Sequence, residues 1–385
     1  MPSRFFFVPF PAVNWYAYTI FNLIMFDGRK RIVLDCDLMR HPHSGLYHYC
    51  LNLGNGLADL LHDDPQLRIS FFLPPSALQA FPRSHHRVRD RRRLFGLFPA
   101  RHPRADIWHA PFQSGRIVPD VRKHKQTRIV LTVHDLNALH EGKPREEQER
   151  SLAHTQGLID RADAIVCISE FCRQDVYRHC RVDGKPVYVI HNGTHRVEQP
   201  RLGPDSYRPE RPFLFSIGYV NRKKNQGVLL PLLRDPNLEL VIAGRLDEPD
   251  YVTAIREQAD RLGVSERLRI TGPVTESEKA WYYEHCLALL HPSLAEGFGA
   301  PVAEIMQFGK PIFLADRTAL PEIGGDVAFY FRDFDGDRMQ QVFRAGMKAW
   351  AEKGLAEKIR QRGQAFQWKR NVQQYLQVYR MLLQI

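Results

Sequence analysis

The sequence predicts two doubly wound α/β domains in tandem, each a parallel sheet covered by helices. Three observations carry this. From residue 30 onward, short apolar runs alternate with helical patterns, as βαβ units require. Runs such as IVLTV (129–133) and AIVCI (164–168) are continuously hydrophobic, as strands buried on both faces are. A polar, proline-rich stretch, Glu198–Pro212, lies near the middle and separates two such alternations. At 385 residues, each half is large enough to bury its own core.

Residues 1–26 form an apolar N-terminal extension in which Pro9, Pro11, Asn14 and Asn22 interrupt the aromatic run from Phe5 to Phe26. Two readings of it stand. It is an interfacial membrane anchor, or the chain proper starts at Met25, ahead of a first buried strand, and the second is favoured. The first domain is expected over 27–205, with strands at Arg31–Leu38, Leu67–Leu73, Asp106–Ala110, Thr127–His134, Ala164–Ser169 and Pro186–His191. Helical patterns lie at Leu46–Leu61, Arg145–Arg161 and Glu170–His179. The second domain is expected over 206–365, with strands at Phe213–Gly218, Leu238–Ala243, Leu268–Gly272, Leu287–His291, Pro311–Ala315 and Val327–Phe331. A long helical pattern from Asp337 to Leu383, broken near Gly354, closes the chain, and its last part, 366–385, is expected to pack back on the first domain. Two such sheets facing each other put the ligand site in the cleft between them, outside the carboxyl ends of the strands.

The net charge of +11 calls for an anionic partner. Eight arginines fall between Arg83 and Arg104, beside Leu94, Phe95, Leu97 and Phe98. That mixture suits an anionic membrane surface or a phosphorylated glycolipid; a nucleic-acid patch has a similar composition, and the donor site read below favours the membrane. The six cysteines are scattered with no CxxC pair, which fits a reducing, cytoplasmic compartment.

The segment 287–316, LALLHPSLAEGFGAPVAEIMQFGKPIFLAD, is the richest in chemistry. A strand ends at His291, and a loop with Glu296, Gly297, Phe298 and Gly299 follows. A helix then starts with Pro301 at its first position and stops at Gly309. Glycines admit a ligand close to the backbone, and a helix start favours an anion such as a diphosphate. Glu296 in the loop and Glu304 on the helix's first turn repel phosphate, so they fit instead as acceptors for hydroxyls on either side of it. Upstream, FSIGYVNRKKN (215–225) runs a strand into a basic loop, where Lys224 suits a diphosphate gaining negative charge.

Glu296 and Glu304, with seven residues between them inside AEGFGAPVAEIMQFGKP, resemble the E-x7-E motif of family 4 glycosyltransferases, which have the GT-B fold. Lys224-Asn225 resembles that family's K-N, and His134-Asp135 its H-D pair. His43-Ser44-Gly45-Leu46-Tyr47 is similar to its glycine loop. Ser169-Glu170 with Arg173, and Asn192-Gly193, match further family positions and read mainly as turns bordering the cleft. The resemblance implies a retaining, metal-independent hexosyltransferase with no cofactor, whose substrate is a GDP- or UDP-hexose, mannose or glucose favoured. It implies His134, Glu296 and Lys224 as catalytic residues. Donor contacts fall to Gly218, Arg222, Lys224, Arg245, Gly297, Phe298, Gly299 and Glu304, and acceptor contacts to Gly45, Tyr47 and Asp135. Many relatives carry arginine where this chain has Tyr219, so Arg222 or Arg245 is expected to stand in. The wording is similar to that of bacterial enzymes of lipopolysaccharide, O-antigen or capsule synthesis, which places the chain at the inner face of the inner membrane with a glycan or lipid-linked acceptor. The alternatives are a GT-B sugar epimerase and a non-enzymatic nucleic-acid binder built on Arg83–Arg104.

Overall fold

Strands made of Val, Ile, Leu and Phe need cover on both faces, and the chain builds two sheets that provide it. The computed structural model describes residues 28–41, 44–81, 86–89, 104–114, 126–194, 203–352 and 354–385. The first sheet holds β1 (Lys30–Asp35), β2 (Leu67–Leu73), β3 (His86–Arg89), β4 (Ile107–Ala110), β5 (Arg128–Val133), β6 (Ala164–Cys167) and β7 (Val187–Val189) in the order 3-2-1-4-5-6-7. The second holds β8 (Phe213–Ile217), β9 (Glu239–Ala243), β10 (Leu268–Gly272), β11 (Ala288–His291), β12 (Ile312–Ala315) and β13 (Phe329–Phe331) in the order 10-9-8-11-12-13. Neighbouring strands pair in parallel throughout, for example Ile32 with Ile69 and Leu289 with Ile312. Two Rossmann-like doubly wound sheets, as the sequence predicted, are the GT-B architecture.

The strand order reverses between β1 and β4 and again between β8 and β11. The ends of these four strands are where a ligand crevice is expected. Gly218 follows β8, and the loop bearing Glu296 follows β11.

The structure departs from the sequence reading in four places. β1 ends at Asp35, and a 3-10 turn occupies Asp37–Arg40. β3 lies inside the basic stretch that was read only as a charged surface segment, pairing Ser70 with His86 through Leu73 with Arg89. His-Arg-Val-Arg is too polar to announce a strand, yet charge on the outermost strand of a sheet discourages further pairing. The helix after Glu296 runs over Ala300–Ile305, so Pro301 is its second residue and Glu304 lies beyond its first turn. The closing helical pattern is three helices, Gly336–Glu352, Leu355–Gly363 and Trp368–Leu383, with Gly354 left-handed at φ 58° and a 3-10 turn at Gln364–Phe366. The apolar segment 1–26, His43, and all of Arg83–Arg104 except 86–89 and Arg104 lie outside the described residues. Among the described residues, no helix is long and apolar enough to cross a membrane.

The Trp368–Leu383 helix buries Val372, Tyr375, Val378 and Tyr379 in the same core as Ile32, Leu34 and Leu53 of the first sheet and its Gly45–Leu60 helix. A buried chain of polar groups fastens it there. Tyr49 and Tyr375 share a hydroxyl contact of 2.5 Å, and Tyr375 meets Thr132 at 2.9 Å. His109 bridges Thr132 at 2.8 Å and Tyr379 at 2.7 Å. Burial lowers the His109 pKa to about 3, so the ring is neutral and can accept as well as donate. Tyr375→Phe leaves two buried hydroxyls short of a partner and is expected to cost about 1–3 kcal/mol, read by urea unfolding. An unchanged midpoint would mean these hydroxyls contribute nothing net.

Candidate active site

At the reversal point of the second sheet, the loop after β8 faces the loop after β11. Lys224 Nζ forms an ion pair with Glu296 Oε1, and His291 Nε2 meets the same oxygen at 2.7 Å. Their side chains are 16% and 11% exposed for Lys224 and Glu296, and 2% for His291, so the cluster is nearly dry. Burial opposes ionisation of Glu296, but the Lys224 charge and the His291 hydrogen bond outweigh it and hold the carboxyl far below the usual range.

The loop that carries Glu296 is braced from the side. The Glu296 N–H donates to Thr318 Oγ1 at 2.9 Å, and Thr318 sits at φ 51°, a left-handed conformation costly for a β-branched residue. On the other side, Gly218 takes φ 147°, a conformation that favours glycine, and the Lys224 stem runs past it at contact distance, with Cε 3.4 Å from where a Cβ would stand.

The two sheets meet at this cluster. A Cβ on Gly297 would overlap the His134 carbonyl oxygen and lie 2.9 Å from Asp135 Cβ. Lys223 Nζ reaches Glu141 Oε1 at 3.0 Å. Burial would depress Lys223, yet the charges of Glu141, Glu296 and Asp135 raise it. Burial raises Asp135, partly offset by the Asn137 N–H and Lys223. A second contact between the halves is Glu322, whose carboxylate accepts from the Glu170 and Phe171 N–H groups at 2.7 and 2.9 Å and from His191 Nε2 at 2.6 Å. It satisfies free amides at the start of the Glu170–His179 helix.

His134 ends the β5 run with its ring between Tyr49 and Phe112, centroids 4.7 and 5.2 Å away. Burial lowers its pKa to about 4, partly offset by its hydrogen bond to the Pro111 carbonyl at 2.8 Å. The ring is therefore neutral near pH 7, with Nε2 donating to Pro111 and Nδ1 left as an acceptor.

The remaining residues singled out in the sequence are placed as follows. Glu304 Oε2 accepts from the Tyr283 hydroxyl at 2.9 Å and pairs with Lys279 at 3.2 Å. Gly299 is left-handed at φ 91° and precedes the short helix. Phe298 turns inward, 3% exposed, and packs its ring against Phe366 and His191. Arg222 is held by Glu248 and Asp250, each at 2.7 Å, over the Tyr251 ring. Arg245 pairs with Asp247 and lies 4.5 Å over Tyr219, the residue found where an arginine was expected. Gly45 opens the Gly45–Leu60 helix behind the cap Ser44, whose Oγ accepts from the Tyr47 N–H at 3.1 Å. Ser169 caps the Glu170–His179 helix, and Arg173 pairs back to Glu170. Gly193 lies under Trp368, where a Cβ would come within 2.5 Å of the ring.

Sequence reasoning missed His291, Thr318, Lys279, Tyr283, Lys223 and Glu322. A signal existed for the first and for one pair. His291 closes an apolar strand five residues before Glu296. Lys279 and Tyr283, four apart, share one face of the Glu276–His285 helix.

The chain is similar to known proteins along most of its length. Residues 205–332 match the family model described as glycosyl transferases group 1, and residues 45–196 match glycosyltransferase family 4. Neither model describes an epimerase or a nucleic-acid binder. The chain is 24% identical to the O-antigen chain mannosyltransferase B of Escherichia coli, over 91% of this chain and 100% of that protein. It is 26% identical to the serotype-specific mannosyltransferase WbdA of Escherichia coli, over 59% of this chain but only 30% of WbdA. In fold, it is similar to a sucrose-phosphate synthase from Thermosynechococcus elongatus, at TM-score 0.73 and 17% identity, covering 92% of this chain and 99% of the other. It is also similar to Anabaena Alr3699/HepE in complex with UDP and glucose, at TM-score 0.66 and 17% identity, covering 91% and 99%.

Proposed function

Since the chain belongs to glycosyltransferase family 4 and is a GT-B enzyme, we propose that it moves a mannosyl residue, with retention, from a nucleotide-diphosphate sugar to a growing surface glycan. The observation that carries this is the buried Lys224–Glu296–His291 cluster at the reversal point of the second sheet. In it, an ammonium and an ionised carboxylate lie side by side beside the glycine-bearing loop and the helix start. Lys224 and the helix start face the diphosphate, Glu296 accepts from hydroxyls of the donor sugar, and Glu304 from those of the ribose. Gly218, Gly297, Phe298 and Gly299 contribute backbone, with Arg245 or Arg222 at the rim. The names of two relatives support mannose as the sugar.

In the reaction, the acceptor hydroxyl attacks the anomeric carbon on the face from which the diphosphate leaves. The carbon–oxygen bond to the diphosphate breaks as the new glycosidic bond forms, and a phosphate oxygen takes the acceptor's proton. Lys224 and the helix start stabilise the charge gained by the leaving group, in place of a metal ion. Neutral His134 holds a hydroxyl in the cleft, beside Asp135, Gly45 and Tyr47 on the acceptor side. The arginines of 83–104 support seating on an anionic membrane surface, where a lipid-linked acceptor would be presented.

The test is a melting-temperature screen with GDP, UDP, ADP, CMP, GDP-mannose and UDP-glucose in EDTA, on wild type and Glu304→Ala. A ligand that binds only the folded chain raises its melting temperature. GDP-mannose and GDP are expected to stabilise wild type, and Glu304→Ala to bind them about tenfold more weakly through loss of a hydrogen bond to an ionised group. A response to UDP compounds alone would move the donor to a UDP-hexose. No response to any nucleotide would end the proposal.

A further inference from the structure

Glu296 is held through one oxygen. Oε1 takes both the Lys224 ammonium and His291 Nε2, while Oε2 meets no partner among the described residues. These two partners differ in kind. Lys224 is a mobile point charge on a four-carbon stem that can turn to another anion. His291 is fixed by its backbone in the middle of the second sheet, in register with Leu314, and by a ring that is nearly inaccessible.

We propose that His291 is a positioning residue that keeps the Glu296 carboxylate aimed while Lys224 leaves it for the donor's diphosphate. This rests on the donor site proposed above. One ammonium cannot neutralise both anions fully, so when the diphosphate arrives the carboxylate loses much of its stabilisation at the moment it must accept a sugar hydroxyl. Because an ionised carboxylate only accepts, His291 Nε2 must carry the hydrogen of their bond. That bond needs no rearrangement when Lys224 moves, and it leaves Oε2 free for the sugar. Thr318 Oγ1 fixes the Glu296 backbone in the same way, so the carboxylate is anchored at both ends without the lysine.

The experiment compares wild type with His291→Gln, whose amide N–H reaches the same oxygen, and with His291→Leu and His291→Asn, which supply no donor at that position. Each is assayed for folding by melting temperature, for GDP binding by calorimetry, and for transfer from GDP-mannose across pH 4–8. The Leu and Asn variants are expected to bind GDP within about threefold of wild type. They should lose about 10- to 100-fold in kcat, the worth of one hydrogen bond to a charged group. Their acid limb of kcat should also move to higher pH. The sign follows from the carboxylate: removing a donor to its ionised form raises its pKa, so it protonates earlier on acidification. The titratable groups around it, Lys224, Lys223, Asp135, Glu141 and His134 with its pKa of about 4, are the same in all variants, and a purely structural role would not shift that limb. His291→Gln is expected within about fivefold of wild type, with the limb in place. If His291→Leu fails to fold, His291→Asn against His291→Gln decides the matter. Wild-type kcat and acid limb in a folded Leu or Asn variant, or a Gln variant as slow as Asn, would overturn the inference. Failure of wild type to bind GDP or use GDP-mannose would instead strike the proposed function.

Discussion

Replacing Lys224 with methionine is expected to lower kcat about 100- to 1000-fold and to destabilise the fold at neutral pH. The rate loss is that of removing one preorganised charge from a site where negative charge develops. The stability loss has a separate cause. Glu296 is buried, and without Lys224 its ionised form keeps only the His291 hydrogen bond and the charge of Lys223. Leaving one member of a buried ion pair uncompensated costs about 3–5 kcal/mol. The pH dependence tests this origin. In wild type, the folded pKa of Glu296 lies below its unfolded value, so its contribution is present at neutral pH and fades only in strong acid. In Lys224→Met, burial is less opposed and the folded pKa rises, so the penalty is full at pH 7 and is relieved as acid neutralises the carboxyl. Urea unfolding at pH 7 and pH 4 should show the gap between the two proteins narrowing. A kcat within threefold of wild type would remove Lys224 from the chemistry, and a gap independent of pH would remove the ion-pair explanation.

Gly297→Ala is expected to lower kcat/KM at least about 100-fold while leaving each sheet intact. The new Cβ would overlap the His134 carbonyl oxygen and crowd Asp135, so backbone blocks it from the opposite half. Relief comes from separation of the halves, because His134 directly follows β5 and the loop carrying Gly297 is held by the bond of Glu296 to Thr318. A displacement of about 1 Å between reacting groups costs roughly 100-fold, and the Lys223–Glu141 pair would lengthen with it. Small-angle scattering should report a more open particle, with nucleotide affinity reduced far less than kcat/KM. Full activity with unchanged scattering would show that the halves do not approach this closely during turnover.

How much of this was legible in the chain depends on the range of each interaction. The strands of both sheets except the polar β3 were, because burial on two faces demands a continuous apolar run, as in β5 and β6. Glu296, Gly297 and Glu304 stood out because one loop and one short helix hold them all. His291 did not, since a strand-terminal histidine looks the same whether or not a carboxylate lies opposite. The ion pair of Lys224 and Glu296 joins residues 72 apart, and the contacts of Glu322 reach 131 to 152 residues back, so no local pattern encodes them. Thr318 is hidden for a different reason: its left-handed backbone is imposed by tertiary contacts against its own preference. The outward pairing of Arg222 with Glu248 and Asp250 likewise depends on neighbours brought in by the next βα unit.

The crossing of the last helix onto the first sheet sets an order of events during synthesis. Tyr375 and Tyr379 complete the core that Ile32, Leu34 and Leu53 begin, yet they emerge more than three hundred residues later. While the ribosome makes the second sheet, the first half waits with an apolar face and the hydroxyls of Tyr49 and Thr132 uncovered. Folding units made early usually finish early. Here the half made first is sealed last, so a stalled or shortened chain leaves an apolar face of the first sheet uncovered, while the half built on the second sheet can already be formed.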